Sequence, residues 1–493
     1  NIIVVLFLCF CLLASFKCQA SEKKLFLKGR FAEKMKATKM IVNLWSDLTP
    51  YPRGNKKASQ VYEIKIVDNK FETTILLDSA ISYMTIDWST PIADSNNYDN
   101  YYPFIVEAGD SITLVTEPYW GISQAKMMFF GNRSDKYNCI LNLTQCVFQT
   151  MELWEKANGE KYQGKSIERN VDRSKYLIQE QLKIIETYKP SLTSEMENLL
   201  YSSIVTSGLN ETASYFTKMM SDEVQSSPNI RDKIMDVLYD TKQSLKELEK
   251  SQGSSVVPKG WSYPQLRRNM AIAESAASGK SITEVILAEK NGTGFEQLIT
   301  GYLLSHNAVN MSSLERDRLN QGALVLLKNP LYIELVRQLM DTTQAGAAMF
   351  DFELPNEDGK LVRLSDFKGK VVFIDYWFSG CGFCAIYYND VVKPVKKYFA
   401  KDKDVVFMTV STDQNKDVWL KSIKSGKFTS SEAINLICPD GPKNPVITKY
   451  NIVTYPHPQL VSKSGELFSD SAQDLRLNGV KGLIDMIEKA KKI

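Results

Sequence analysis

The sequence feature that most constrains this chain is a cysteine pair placed between a buried strand and a helix. Residues 371–376 are apolar apart from Asp375, which is typical of a central strand buried on both faces. Cys381 and Cys384 follow within eight residues, and the valines at 391–395 indicate the helix after them. Strands and helices alternate from Gly346 to the end, which predicts an α/β sheet.

A C-x-x-C motif occurs in redox pairs, zinc sites and haem attachment sites, and it also arises by chance. Haem attachment needs a histidine directly after the second cysteine, but residue 385 is Ala. A structural zinc site needs two further ligands. The only histidines are His306 and His457, neither close in sequence, and Cys438 alone leaves the set incomplete. The pattern favours a redox pair, with no metal and no cofactor besides the redox-active disulfide of Cys381 and Cys384.

The position of each cysteine predicts its role. Unpaired N–H groups at a helix N-terminus stabilise an anion, which lowers the pKa of the first thiol. We therefore expect Cys381 to be the exposed nucleophile and the more buried Cys384 to resolve the mixed disulfide. Asp375 is predicted to accept the proton of Cys384, since burial raises a carboxyl pKa towards neutrality. The alternative is a carboxylate that faces solvent at a strand end.

Four short sequence segments lead up to the cysteine pair and include it, at residues 351–354, 358–360, 364–372 and 375–384. These segments, in this order, resemble the sequences of the TlpA/ResA-type thiol-disulfide oxidoreductases, close to the redoxin and AhpC/TSA group. The resemblance extends over about residues 350–493. The resemblance implies a thioredoxin-like fold. It also implies a cis bond between Tyr455 and Pro456 near the active-site sulfur, and a substrate-binding surface formed by Trp377, Phe383, Tyr455 and Pro456.

The sequence departs from that family around the motif. Gly380 stands where the family usually has Trp, and Phe383 where it often has Pro. Tyr387 and Asn389 occupy places where Glu and Pro commonly follow the second cysteine. These changes imply an altered reduction potential and partner surface, in a direction that the sequence does not indicate.

The remaining chain predicts a multidomain protein. Residues 2–16 are apolar, and Ala20 suits a signal-peptide cleavage site, so we assign 1–20 to a signal peptide. A β-sandwich-like antiparallel domain is predicted at 21–133, a helical domain at 134–345 and the thioredoxin-like domain at 346–493. The signal predicts export, to the periplasm of a Gram-negative bacterium. Membrane association would require lipidation, which Lys17 before Cys18 disfavours.

A hairpin and a second turn are predicted in the β domain. Alternating residues 61–67 and 71–76 flank an Asp-Asn-Lys turn, and 104–106 and 111–115 flank Ala-Gly-Asp. Another hairpin is predicted near the C-terminus around residues 463–465, before a terminal amphipathic helix.

In the helical region, Thr193 or Ser194 is predicted to cap a helix that ends at Gly208. Cys139 and Cys146 form either a disulfide or two buried free thiols.

The leading functional prediction is an exported dithiol–disulfide oxidoreductase that reduces protein disulfides. A thiol peroxidase and a non-catalytic docking or assembly protein are the alternatives. Expected partners are protein disulfides and an unidentified thiol–disulfide electron donor. A formal net charge of +3, from 60 basic and 57 acidic residues, gives no indication of nucleic-acid binding.

Overall fold

A computed structural model describes residues 23–33, 37–45, 60–90, 93–97, 102–118, 125–219, 227–251, 262–289, 295–303 and 311–493. The predicted signal peptide lies outside these residues. The chain divides into two compact units, unit 1 at 1–51 with 56–266 and unit 2 at 52–55 with 267–493. The helices predicted at 134–345 are thus shared between both units. No helix in the described part of the chain is long and apolar enough to cross a membrane.

Unit 1 begins with strands whose buried residues alternate along the sequence. The described strands are β1 (Lys24–Arg30), β2 (Lys39–Trp45), β3 (Gln60–Lys65), β4 (Lys70–Leu76), β5 (Ile81–Thr90), β6 (Ala93–Asn97), β7 (Phe104–Glu107), β8 (Ser111–Pro118) and β9 (Ala125–Asn132). They form two sheets, in the orders β4-β1-β8-β9 and β3-β2-β5-β6, with β7 paired to β5. β1 and β8 are parallel, so the predicted antiparallel domain has one parallel pair.

The hairpin and the turn predicted in unit 1 both connect one sheet to the other. The first turn contains Asp68 and Asn69 with φ of 49° and 60°, but it leads from β3 in one sheet to β4 in the other. The second contains Gly109 with φ of 92° and leads from β7 to β8 in the same way. Both predicted turns are confirmed. The predicted pairing of 61–67 with 71–76 is limited to one bridge between Val67 and Lys70, because β3 and β4 pair with other strands.

Helices follow the strands of unit 1. They are α1 (Ser134–Asn158), α2 (Ser166–Tyr188), α3 (Ser194–Lys218), α4 (Pro228–Ser251) and the start of α5 (Tyr263–Ser278). One apolar core joins both sheets to α1, α2 and α3.

The predicted start of α3 is confirmed, and its predicted end is wrong. Thr193 caps the helix, since its side chain accepts a hydrogen bond from the N–H of Met196. The helix then continues through Gly208 to Lys218. A Cβ at Gly208 would lie 2.3 Å from Cγ1 of Ile178, so this glycine permits the close approach of α2 and α3.

Unit 2 contains a group of helices followed by an α/β sheet. The described helices after α5 are α6 (Ile282–Ala288), α7 (Phe295–Leu303), α8 (Ser313–Leu326) and α9 (Pro330–Thr343), which share their own apolar core. The strands that follow are β10 (Glu353–Pro355), β11 (Leu361–Arg363), β12 (Val371–Trp377), β13 (Val405–Ser411), β14 (Ile434–Ile437), β15 (His457–Val461) and β16 (Leu467–Ser469). Helices α10 (Gly382–Tyr387), α11 (Lys393–Tyr398), α12 (Lys416–Lys424), α13 (Pro445–Lys449) and α14 (Gly479–Ala490) connect and cover them.

The central sheet has the order β14-β13-β12-β15-β16. β12, β13 and β14 are parallel, while β15 and β16 form the predicted antiparallel hairpin on the other side of β12. All residues of β12 are buried, as its continuous apolar sequence predicts. The predicted fold class is confirmed: β sheets, then helices, then an α/β domain whose central strand leads to the cysteine pair.

Candidate active site at Cys381 and Cys384

The two cysteines form a disulfide at the start of α10, with an S–S distance of 2.00 Å and a Cα–Cα distance of 5.3 Å. Cys381 is the N-cap residue of this helix, and its Sγ accepts a hydrogen bond of 3.1 Å from the N–H of Cys384. The first sulfur therefore lies where helix N–H groups point. On reduction, the same N–H group is placed to stabilise a thiolate on Cys381.

Both cysteines are more enclosed than the sequence suggests. Cys381 is 6% exposed and Cys384 is 1% exposed. The expectation of an exposed Cys381 is therefore wrong for the oxidised state, although the order of burial is as predicted. The cause is an apolar cluster around the disulfide, to which Trp377, Trp419 and Phe428 contribute.

Ser379 fixes the loop that carries Cys381. Its backbone N–H and its hydroxyl both donate to the carboxylate of Asp413, at 3.1 and 2.6 Å. The hydroxyl of Ser411 donates to the same carboxylate at 2.8 Å. Because Ser411 ends β13, this carboxylate ties the loop to the strand next to β12.

Gly380 precedes the nucleophile with φ of 92°, a conformation that L side chains rarely adopt. A Cβ there would have no atom within 4 Å, so the backbone conformation and not space requires glycine. The Trp that the family usually carries at this position would not suit this conformation.

We expect Gly380→Ala to lower the free energy of unfolding by about 1–2 kcal/mol, because alanine pays for the positive φ. Gly382→Ala is the matched control, since Gly382 lacks a positive φ and a Cβ there also meets nothing within 4 Å. Denaturant unfolding followed by tryptophan fluorescence would measure both. Equal losses in the two variants would contradict this account of Gly380.

Asp375 lies in the middle of β12 and is 1% exposed. Alternation along β12 sends Phe373, Asp375 and Trp377 to one face. Phe373 shares an apolar cluster with Tyr387, and Trp377 shares one with Cys384, so Asp375 lies beneath α10. Burial raises the pKa of Asp375 well above its ordinary value. The carboxyl group is therefore buried, as predicted, and does not face solvent at a strand end.

The four residues predicted to bind substrate occupy different environments. Trp377 is fully buried and stacks on Phe428 with ring centroids 5.0 Å apart, so it supports the site from inside. Phe383 is 76% exposed, between the two cysteines in sequence. Tyr455 is half-buried and its ring meets Phe378 edge-on at 5.4 Å. Pro456 is buried, and its bond to Tyr455 is cis, as the resemblance implies.

The helix after the cysteines contains one wide turn. A π-helix at Tyr388–Val392 joins α10 to α11. Pro394 explains it, because a proline ring inside a helix clashes with the carbonyl group four residues earlier, here that of Asp390.

Two features of the site escape sequence reasoning. The hydroxyl of Tyr387 donates to the carbonyl oxygen of Leu475 at 2.9 Å, although the two residues are 88 positions apart. Arg476, on a second π-helix at Gln473–Leu477, lies close enough to Asp375 to lower the pKa of its carboxyl group, against the larger effect of burial. The only hint of these contacts in the sequence is Tyr387, which stands where the related family commonly has a glutamate.

The other described cysteines are free and buried. Burial raises the pKa of Cys139 and that of Cys438 to about 12, and it also raises the pKa of Cys146. Of the two possibilities for Cys139 and Cys146, a disulfide or two buried free thiols, the structure has the second. None of the three has the helix N-cap position that Cys381 has.

Residues 344–447 match the Redoxin family, and no curated protein matches the chain. Among solved structures, the chain is similar to the thioredoxin domain of a thiol-disulfide oxidoreductase from Bacteroides vulgatus, with 30% identity and a TM-score of 0.26 over 29% of this chain and 96% of that one. A thiol:disulfide interchange protein from Bacteroides sp. has 31% identity and a TM-score of 0.26, over 30% and 90%. A thiol-disulfide oxidoreductase from Bacteroides fragilis has 20% identity and a TM-score of 0.25, over 30% and 98%. The family match and the observed sheet confirm the thioredoxin-like C-terminal domain.

Proposed function

From the premise that residues 344–447 are a Redoxin domain, we propose that this protein is an exported thiol–disulfide oxidoreductase that reduces protein disulfides. The observation that carries the proposal is the position of the pair. Cys381 caps α10 through its sulfur, and Cys384 is joined to it in the same turn. A pair in this position cycles between dithiol and disulfide, so the pair itself is the redox group.

The reaction takes two steps from the dithiol form. The thiolate of Cys381 attacks one sulfur of the substrate disulfide, forms a mixed disulfide and releases the other substrate sulfur as a thiolate. Cys384 then gives its proton to Asp375 and attacks Sγ of Cys381. This closes the observed disulfide and releases the second substrate thiolate. The substrate gains two electrons and the pair loses them, and a thiol–disulfide donor restores the dithiol.

Exposed apolar side chains adjacent to the pair in sequence support a protein as the substrate. Phe383 lies within the motif, Ile386 is on the next turn of α10, and Phe378 is in the preceding loop. All three are exposed large hydrophobic residues. Such a patch beside a disulfide suits an unfolded or flexible polypeptide better than a small hydrophilic thiol. Export to the periplasm is part of the proposal and is supported by the apolar segment at 2–16.

The reduction potential of the pair tests this function. Equilibration of the full chain in glutathione and dithiothreitol buffers should give a reversible two-electron couple near or below about −200 mV, the range of reductants that depend on a donor. A much higher potential would reject the reductant role in favour of an oxidant or isomerase. No reversible couple would reject the oxidoreductase itself. Peroxide consumption faster than protein disulfide reduction would point instead to a thiol peroxidase.

A further inference from the structure

The end of β16 and the segment that follows it are bound to α8. The N–H of Ser313, at the start of α8, donates to the carboxylate of Asp474 at 3.0 Å. The hydroxyl groups of Ser313 and Ser469 lie 2.9 Å apart. Arg316 forms an ion pair with Asp470, and their side chains are only 2% and 5% exposed. These contacts join residues more than 150 positions apart, so α8 fixes this segment onto the α/β domain.

The same segment leads directly into the π-helix at Gln473–Leu477, which lies behind the cysteine pair. The carbonyl oxygen of Leu475 accepts the hydrogen bond of Tyr387. Tyr387 is one helical turn after Cys384 and is therefore on the same face of the helix. The π-helix and α10 are thus joined at the level of the resolving cysteine. Turns of this rare type are frequent at functional sites.

Arg476 is the next residue of this π-helix. Among the described residues, neither its Nε nor Oδ1 of Asp375 has a hydrogen-bond partner, although both atoms are buried. Buried polar atoms without partners carry a cost, which function commonly explains. The charge of Asp375 raises the pKa of Tyr387 and the charge of Arg476 lowers it, so both charged groups act at the tyrosine that joins α10 to the π-helix.

We propose that Arg476 is a positioning residue of the redox site, whose positive charge holds Asp375 ready to accept the proton of Cys384. The ion pair of Arg316 and Asp470 keeps Arg476 in place. This inference rests on the proposed function and adds to it a contribution from the helices that precede the α/β domain.

The sign of the effect follows from charge. Burial favours the neutral carboxyl group of Asp375, whereas a nearby cation favours the carboxylate that accepts a proton. Arg476 is the group whose charge acts on Asp375 and lowers the pKa of its carboxyl group, while burial raises the pKa of Tyr387 well above its ordinary value, so Tyr387 stays neutral. The neighbouring strands place Thr409 and Pro458 beside Asp375, and neither titrates. Removal of the charge on Arg476 should therefore raise the pH at which Asp375 ionises.

The test is a titration of the Asp375 carboxyl carbon by NMR in the oxidised full chain, with ¹³C-labelled aspartate and Asp375→Asn to assign the signal. Arg476→Gln should raise the midpoint by about one pH unit or more, while Arg476→Lys should leave it nearly unchanged. An unmoved midpoint in Arg476→Gln, or equal shifts in both variants, would overturn the proposal. Should Arg476→Gln fail to fold, Arg476→Met retains the apolar stem without the charge.

A double variant tests the role of α8. Arg316→Met together with Asp470→Asn removes the ion pair without leaving a buried unpaired charge. The Asp375 midpoint should shift in the same direction as in Arg476→Gln, and an unmoved midpoint would overturn the role of the ion pair. These titrations use the disulfide form and do not depend on turnover. If the protein showed no thiol–disulfide exchange while the Asp375 midpoints shifted as expected, the result would contradict the proposed function but not the role of Arg476.

Discussion

Cys381→Ser is expected to lower the rate of protein disulfide reduction by more than about three orders of magnitude, to the uncatalysed background. The hydroxyl group that replaces the thiol does not ionise near neutral pH, and it forms no stable bond with a substrate sulfur. The helix N–H group that now donates a hydrogen bond to Sγ would have no thiolate to stabilise. Insulin reduction with dithiothreitol as the donor would measure the loss.

The second cysteine should behave differently from the first. Cys384→Ser retains the nucleophile but removes the thiol that resolves the mixed disulfide, so substrate should accumulate as a covalent adduct on Cys381. Non-reducing electrophoresis and mass spectrometry of the trapped complex would show it. Cys438→Ala is the matched control, because Cys438 is a fully buried free thiol of the same domain. It should turn over at the wild-type rate.

Three results would contradict this assignment. Retained turnover in Cys381→Ser would exclude Cys381 as the nucleophile. An adduct on Cys438 would place the reactive thiol elsewhere. Capture of a partner at the wild-type level after loss of both Cys381 and Cys384 would favour the docking role over catalysis.

The parts of the fold that the sequence predicts are those set by local pattern. β12 has a nearly continuous apolar sequence because it is buried on both faces, and this is visible without any partner strand. The α3 N-cap at Thr193 depends on only a few adjacent residues. The two turns of the β domain were likewise evident from their short polar sequences, since turn residues act through their own backbone preferences.

The parts that the sequence does not predict depend on contacts between distant segments. The strands on either side of these two turns join different sheets, and no pattern within 61–76 indicates this for the first of them. Gly208 looks like a helix end until Ile178 is found against it. Arg476 lies 101 positions after Asp375, on a π-helix that the sequence pattern does not predict. Its place at the site is therefore visible only in the structure.

Asp375→Asn is expected to make the protein more stable at neutral pH while slowing exchange. The native pKa of Asp375 is raised well above its ordinary value, mainly by burial. Ionisation therefore opposes folding, at about 1.4 kcal/mol for each unit of the shift. Asparagine has the same shape and no charge, so the free energy of unfolding at pH 7 should rise.

The loss of activity should accompany the gain in stability. A positioned general base contributes roughly 10²- to 10⁴-fold, so we expect resolution of the mixed disulfide to slow by about 10²-fold at neutral pH. Cys384 would then lose its proton to water, and the deficit should shrink as the pH rises. Stopped-flow measurement of the resolving step, from a preformed mixed disulfide, separates it from the attack by Cys381. An unchanged resolving rate would exclude Asp375 as the base.

Asp413→Asn is the contrasting control, because this carboxylate accepts hydrogen bonds from Ser379 and Ser411. Asp413→Asn should lower the free energy of unfolding by about 1 kcal/mol, whereas Asp375→Asn should raise it. The pH dependence discriminates further. Since native Asp375 binds a proton that the unfolded chain has already released, wild-type stability should fall as the pH rises from the ordinary aspartate pKa to the raised one. Asp375→Asn should lack this fall. A variant with the same pH dependence of stability as the wild type would show that Asp375 does not have the raised pKa that the role of a base requires.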